Sequence, residues 1–259
     1  MNTSRPPTTL ERRQQILELL DEHGRLSLVD LAGRFGISEM TVRRDLDALE
    51  RDSAVTRVRG GVIAVASRSS EPPYALRIAR NGPAKQRIAL AAAALIRDGE
   101  TIALDAGSTV LALADALADR RNLTVVTPNL RAAWVLADNP DLRVIVTGGL
   151  VRPGERALNG VFSERAFEDL LCDTFFMGVG GVDPEAGFTE YTLDGTRTKQ
   201  AALRSARRRV VVADGSKLGK IAFVRVTPID GADTLITDAE ADPAVVTRLR
   251  ETGLEVICA

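Results

Sequence analysis

Apolar positions in the first fifty residues recur at helical spacing in three short blocks. Across residues 11–22 Ile16, Leu17 and Leu20 share one side, and Gly24 just beyond is a stop signal. Ser27 is a suitable N-cap for a second helix carrying Leu28, Leu31, Ala32 and Phe35, which Gly36 breaks, with Ile37 plugging the turn. Ser38 caps a third, Glu39 to Arg51, on which Val42, Leu46 and Leu49 fall within about 60° of one another at 100° per residue. That stripe must face a core. Beyond it, Ala54 to Val58 and Val62-Ile63 flank Gly60-Gly61, a pair suited to a tight hairpin. Three helices and a hairpin predict a winged helix-turn-helix over residues 8–64, with the helix-turn-helix segment at about 26–45.

The pattern then changes twice. From 65 to 83 Ser, Glu, Pro-Pro and Asn-Gly give linker composition. From 84 to 259 helical blocks alternate with short β-branched runs: Ile102–Leu104, Leu123–Val126, Val144–Val146, Phe175-Phe176, Val210–Val212, Leu235-Ile236 and Val256-Ile257. Such alternation predicts βαβ units, so the second domain is expected to be α/β, a mostly parallel sheet with helices on both faces.

Composition narrows the function. With 259 residues, 45% apolar and 27% charged, the chain can bury two ordinary cores, which sets aside disordered and fibrous classes. The opening residues Met1 to Pro7 have no apolar stretch behind them and do not read as a signal peptide, while Ile88 to Ile96 is too short to span a bilayer. A cytoplasmic protein without a membrane partner is expected. Cys172 and Cys258 lack the spacing of a zinc or redox pair, and His23 is the only histidine, so no metal site is expected.

Net charge argues weakly for nucleic acid. The whole chain is −1, and residues 1–70 hold eleven arginines, no lysine and ten acids. Placement has to carry the case. With its apolar stripe inward, the third helix turns Met40, Arg44, Asp47 and Arg51 outward, with Arg43 on the flank. Ser38, Thr41, Arg43 and Arg44 then lie where a recognition helix meets base edges, and Arg57 and Arg59 of the wing would meet backbone or minor groove. The alternative, a merely solvated arginine face, recedes because the string Phe35-Gly36-Ile37-Ser38, Met40 to Leu46 and Arg57 to Val62 resembles the DeoR family of bacterial regulators from about Leu10 to Ile63.

In an open α/β sheet ligands bind beyond the carboxyl ends of the strands. Those positions here carry Asp105-Ala106-Gly107-Ser108-Thr109, Thr127-Pro128-Asn129, Thr147-Gly148-Gly149, Gly178-Val179-Gly180-Gly181 and Asp214-Gly215-Ser216-Lys217. Small hydroxyl residues opening a helix, with free N–H groups and the positive dipole end, suit an anion such as phosphate; each turn taken alone is also an ordinary cap or loop. Gly178 to Gly181 lacks the spacing of a dinucleotide fingerprint, so no nucleotide cofactor is indicated. Residues from about Lys85 to Asp238 are similar to the DeoR-family sensor domain, on the turns just quoted together with Lys85 and Lys199. Only four lysines stand against thirty arginines, and Lys85, Lys199 and Lys217 fall where that family carries lysine.

The resemblance implies a repressor of a sugar or carbohydrate catabolic operon. Its partners would be double-stranded operator DNA and a phosphorylated sugar or related metabolite, and its assembly a homodimer or homotetramer. Ligand contacts are expected from Asp105, Gly107, Ser108, Thr109, Thr127, Asn129, Gly148, Gly149, Gly180, Lys199, Asp214 and Lys217, with no catalytic residue. The alternative is an active sugar-phosphate isomerase carrying a DNA-binding arm, with Asp105, Glu190 or Asp214 as general base.

Overall fold

The structure, a computed structural model, describes residues 7–51, 54–64 and 67–259. The opening segment weighed above as a leader lies, but for Pro7, outside the described residues. Two compact units divide the chain, Met1–Arg80 and Asn81–Ala259.

In the first unit α1 (Thr9–His23) opens on a capping box in which Thr8 and Glu11 satisfy each other's backbone N–H. β1 (Arg25–Leu26) follows, a strand too short to show a period, then α2 (Leu28–Phe35), capped by Ser27 and ended by Gly36 in the left-handed conformation. α3 (Glu39–Arg51) and the hairpin of β2 (Val55–Val58) and β3 (Gly61–Ala64) complete the winged motif, β1 pairing antiparallel with β3. Ile16, Leu20, Leu31, Val42, Leu46, Leu49, Val55 and Val62 form its core. Inside the stretch with linker composition the chain folds α4 (Tyr74–Ala79), whose Leu76 joins that core. Pro72-Pro73 disguised it, because Pro73 serves as its N-cap.

The second unit begins with α5 (Gly82–Ala94), the helix of the Ala-rich apolar run. β4 (Thr101–Leu104), α6 (Ser108–Leu117), β5 (Leu123–Thr127), α7 (Leu130–Ala137) and β6 (Leu142–Val146) follow. A hairpin of β7 (Leu150–Arg152) and β8 (Ala157–Asn159) leads to α8 (Val161–Ala166) and β9 (Cys172–Met177). Next come β10 (Gly181–Asp183), β11 (Gly187–Glu190), α9 (Leu193–Ser205), β12 (Ala206–Val212) and β13 (Val224–Thr227). The chain ends with β14 (Thr234–Thr237), α10 (Pro243–Glu251) and β15 (Glu255–Cys258).

All seven β-branched runs are strands of one sheet, in the order β15-β14-β12-β9-β4-β5-β6, with every pairing parallel. Both faces are covered over the inner strands, as the alternation along β4 shows. Ile102 and Leu104 pack with α5, α6 and α7, whereas Ala103 between them packs on the side of α9 and α10. The strands missed from sequence are the short antiparallel ones, β7-β8 and β10-β11-β13.

The order fixes where a ligand site belongs. From β4 the chain winds outward through β5 and β6, then returns to β9 on the other flank of β4 and proceeds away. The crevice at the carboxyl ends of β4 and β9 is therefore the topological switch point.

Candidate functional site

On α3 the inward stripe of Val42, Leu46 and Leu49 is fully enclosed. Met40, Arg43, Arg44, Asp47 and Arg51 are exposed, the arrangement its periodicity predicts. Ser38 caps the helix through the Thr41 N–H at 3.2 Å, its hydroxyl 3.0 Å from that of Thr41. Every acid on α3 is ion-paired within the unit. Asp45 is buried and accepts from Arg12 Nε at 2.6 Å and Arg13 Nε at 3.0 Å, tying α3 to α1. Glu39 lies 3.9 Å from Arg43. Asp47 and Glu50 both hold Arg57.

That pairing changes the reading of Arg57. Its guanidinium binds the Asp47 carboxylate, donates to the Arg43 carbonyl at 3.0 Å and lies 3.4 Å from Glu50, so it ties wing strand β2 to α3. In sequence it has no acidic neighbour; in space it has two. Arg59, by contrast, is exposed at the hairpin turn, where its carbonyl accepts from Arg25.

At the switch point of the second unit Asp105, which follows β4, is buried and accepts the N–H of Gly178, which follows β9, at 3.0 Å. Lys199 of α9, also buried, donates to Asp105 and to the Gly178 carbonyl at 2.9 Å, and lies 3.3 Å from Glu190 at the end of β11. One ammonium thus serves two carboxylates in a buried crevice. Burial pushes Asp105 up to about 6 against the pull of Lys199, and the Glu190 charge adds to the rise. Burial alone would loosen the Lys199 proton, but Asp105 and Glu190 outweigh it and hold the amine charged well beyond its usual range. Beside this cluster Gly107, at a φ of +141° that favours glycine, starts α6 with Ser108 and Thr109, and no side chain caps that end.

A second cluster forms at the ends of β12 and β14. Asp214 is buried and accepts from Asn81 Nδ2 at 2.9 Å and from the Ser216 N–H at 3.1 Å. Burial opposes its charge, but the Ser216 hydroxyl, Lys85, Asn81 and Lys217 hold its pKa below the usual carboxylate range. Asp238 accepts the Gly215 N–H. Lys217 reaches over the Tyr191 ring, 5.8 Å from its centre, and that ring packs so closely on Gly180 that an added Cβ would stand 2.8 Å from it.

The remaining expected contacts behave differently. Thr127 and Asn129 are wholly enclosed: Thr127 Oγ1 accepts the Asn129 N–H, and Asn129 Oδ1 caps α7 through the N–H groups of Arg131 and Ala132. Their oxygens build the loop, while the Asn129 Nδ2 is buried with no hydrogen-bond partner among the described residues. Gly149 has a φ of +121°, and a Cβ there would meet the Asn159 carbonyl at 2.6 Å, so it serves the β7-β8 hairpin, whereas Gly148, at a φ of +78°, has open space beside it. Asn81 and Asp238 are the site's unanticipated members, and Glu190, expected only as a general base in the isomerase alternative, joins the Lys199 cluster. Asp238 alone had a usable signal, its place directly after a strand.

Comparison with known proteins agrees with both halves. Residues 12–68 match the DeoR-like helix-turn-helix domain and residues 80–239 the DeoR C terminal sensor domain. The chain belongs to the DeoR family of transcriptional regulators. Among relatives of this DeoR-family regulator, the HTH-type transcriptional regulator GolR of Listeria innocua is 34% identical over 95% of this chain and 97% of its own. The glycerol-3-phosphate regulon repressor of Escherichia coli is 32% identical over the same shares of the two chains. Ribose 5-phosphate isomerase A of Methanocaldococcus jannaschii matches 53% of this chain and 54% of its own at 17% identity and a TM-score of 0.40, too distant to bear on chemistry. No helix among the described residues is long and apolar enough to cross a membrane.

Proposed function

We propose that this regulator represses a carbohydrate operon and that a phosphorylated sugar, bound at the carboxyl ends of β4, β9 and β12, controls it. The observation that carries the ligand reading is the Asp105–Lys199–Glu190 cluster at the switch point, set beside the uncapped N-terminus of α6. Paired carboxylates and an ammonium recognise sugar hydroxyls, which both donate and accept. The N–H groups of Ser108 and Thr109, with the helix dipole, receive the phosphate, and Lys217 adds a second cation at the rim. A glycerol-3-phosphate repressor among the relatives supports a phosphate-bearing ligand. At the DNA, Ser38, Met40, Thr41, Arg43 and Arg44 form the groove-facing surface, Arg59 meets the backbone, and Arg57 sets the wing. Two copies of the chain read paired half-sites.

The test is a gel shift on the DNA upstream of the chain's own operon, repeated with pentose, hexose and triose phosphates. One of them is expected to change operator affinity at least tenfold, and none to be isomerised. Affinity indifferent to every phosphorylated sugar sinks the ligand reading. Turnover abolished by Asp105→Ala moves the chain to the enzyme class.

A further inference from the structure

β6 is the outer strand of the seven-stranded sheet, and along its far edge no other strand pairs with it among the described residues. Soluble proteins shield such edges with charge, proline or cover. Here Arg143 is the one charge on the strand, and large apolar side chains surround it. Ile145 and Val146 of β6, Leu150 and Val151 of β7, Val161 and Phe162 of α8 and Trp134 of α7 are all exposed, Trp134 and Leu150 at 80% and Phe162 at 71%. Their elements adjoin along this edge: the Thr147 and Ser163 hydroxyls, 2.8 Å apart, join the end of β6 to α8, and the Leu130 N–H donates to the Arg156 carbonyl, joining α7 to the hairpin.

We infer that this surface is where a second copy of the chain binds, β6 lying antiparallel to its counterpart across a two-fold axis. Seven large apolar side chains exposed around one strand edge make a patch of the kind that a partner covers. Two observations favour a copy over an unrelated partner. A bare strand edge complements itself, since rotation about a two-fold sets its free N–H and C=O groups against their own equivalents. A net charge of −1 puts almost no repulsion between like chains. The proposal supplies the surface for the pairing that the operator reading assumes, yet its test needs neither DNA nor sugar phosphate.

Trp134 is the chain's only tryptophan, so its emission reports on this surface alone. Sedimentation velocity of the full chain at micromolar concentration is expected to show an oligomer with blue-shifted, poorly quenched emission. Dilution should lower the mass and redden the emission together. The Leu150→Glu/Phe162→Glu variant, folded by circular dichroism because both side chains are already exposed, should raise the dissociation constant at least tenfold. Leu171→Glu, exposed at the opposite end of the strands, should leave it unchanged. A monomer at every concentration overturns the proposal, as does an oligomer whose Trp134 stays open to quencher or one that survives the double substitution. Loss of operator binding with the oligomer intact would instead count against the DNA reading alone.

Discussion

Two acids about one turn apart near the end of the adjoining helix decide what Arg57 does, and its sequence neighbours hold no trace of them. A guanidinium already held by Asp47 and Glu50 has little charge left for phosphate, whereas Arg44 and Arg59 stand exposed. Three alanine substitutions should therefore differ in kind. Arg44→Ala is expected to cost about 1–3 kcal/mol at the base pair it reads. Arg59→Ala should weaken binding to all sequences and flatten the dependence of log affinity on log salt by about one, the release of roughly one counterion. Arg57→Ala should weaken binding to all sequences with the salt slope kept, because it removes a strut and no phosphate contact. Anisotropy titrations at several salt concentrations separate these outcomes, and a slope reduced by one for Arg57→Ala would sink the strut.

At the scale of elements, four of them (β4, β9, β11 and α9) meet so that Asp105, Gly178, Glu190 and Lys199 touch across positions far apart in the chain. The consequence is measurable as a function of pH. Asp105 binds its proton with a pKa of about 6 when folded against 3.8 as a free group, so the folded state holds more protons than the unfolded one between those values. Its contribution to stability is full below about pH 4 and is lost as pH rises through 6. Urea unfolding across pH 4–7 is expected to show that decline in the wild type and its absence in Asp105→Asn; equal pH profiles would refute it. How much of this was legible follows from strand composition. The strands of the large sheet declare themselves as runs of β-branched and other apolar residues, enclosed on both faces in the inner strands, and the turns after them follow. The antiparallel strands mix Gly, Thr, Arg, Asp and Glu into three or four positions and show neither a run nor a period. Ion pairs such as Lys199–Glu190 depend on packing that no local pattern encodes, and no turn motif announces that the Asn129 oxygen caps α7 while its Nδ2 stays buried and unpartnered among the described residues.

For the whole molecule, separate cores serve the two units: one around Ile16, Leu46 and Leu49, and a pair on either face of the large sheet. Calorimetry of the full chain is expected to resolve two transitions. A phosphorylated sugar at a hundred times its Kd should raise only that of the sensor, by about 2.7 kcal/mol. A ligand that shifts both equally, or only the smaller unit, would place its site elsewhere. The acids of α3 extend to this scale as well. Since Asp45, Asp47 and Glu50 are matched internally by Arg12, Arg13 and Arg57, the arithmetic of residues 1–70 says almost nothing about the potential a duplex would meet. A survey that sorted chains by isoelectric point would pass this one over, and a polyanion column would retain it more strongly than its near-neutral titration curve foretells.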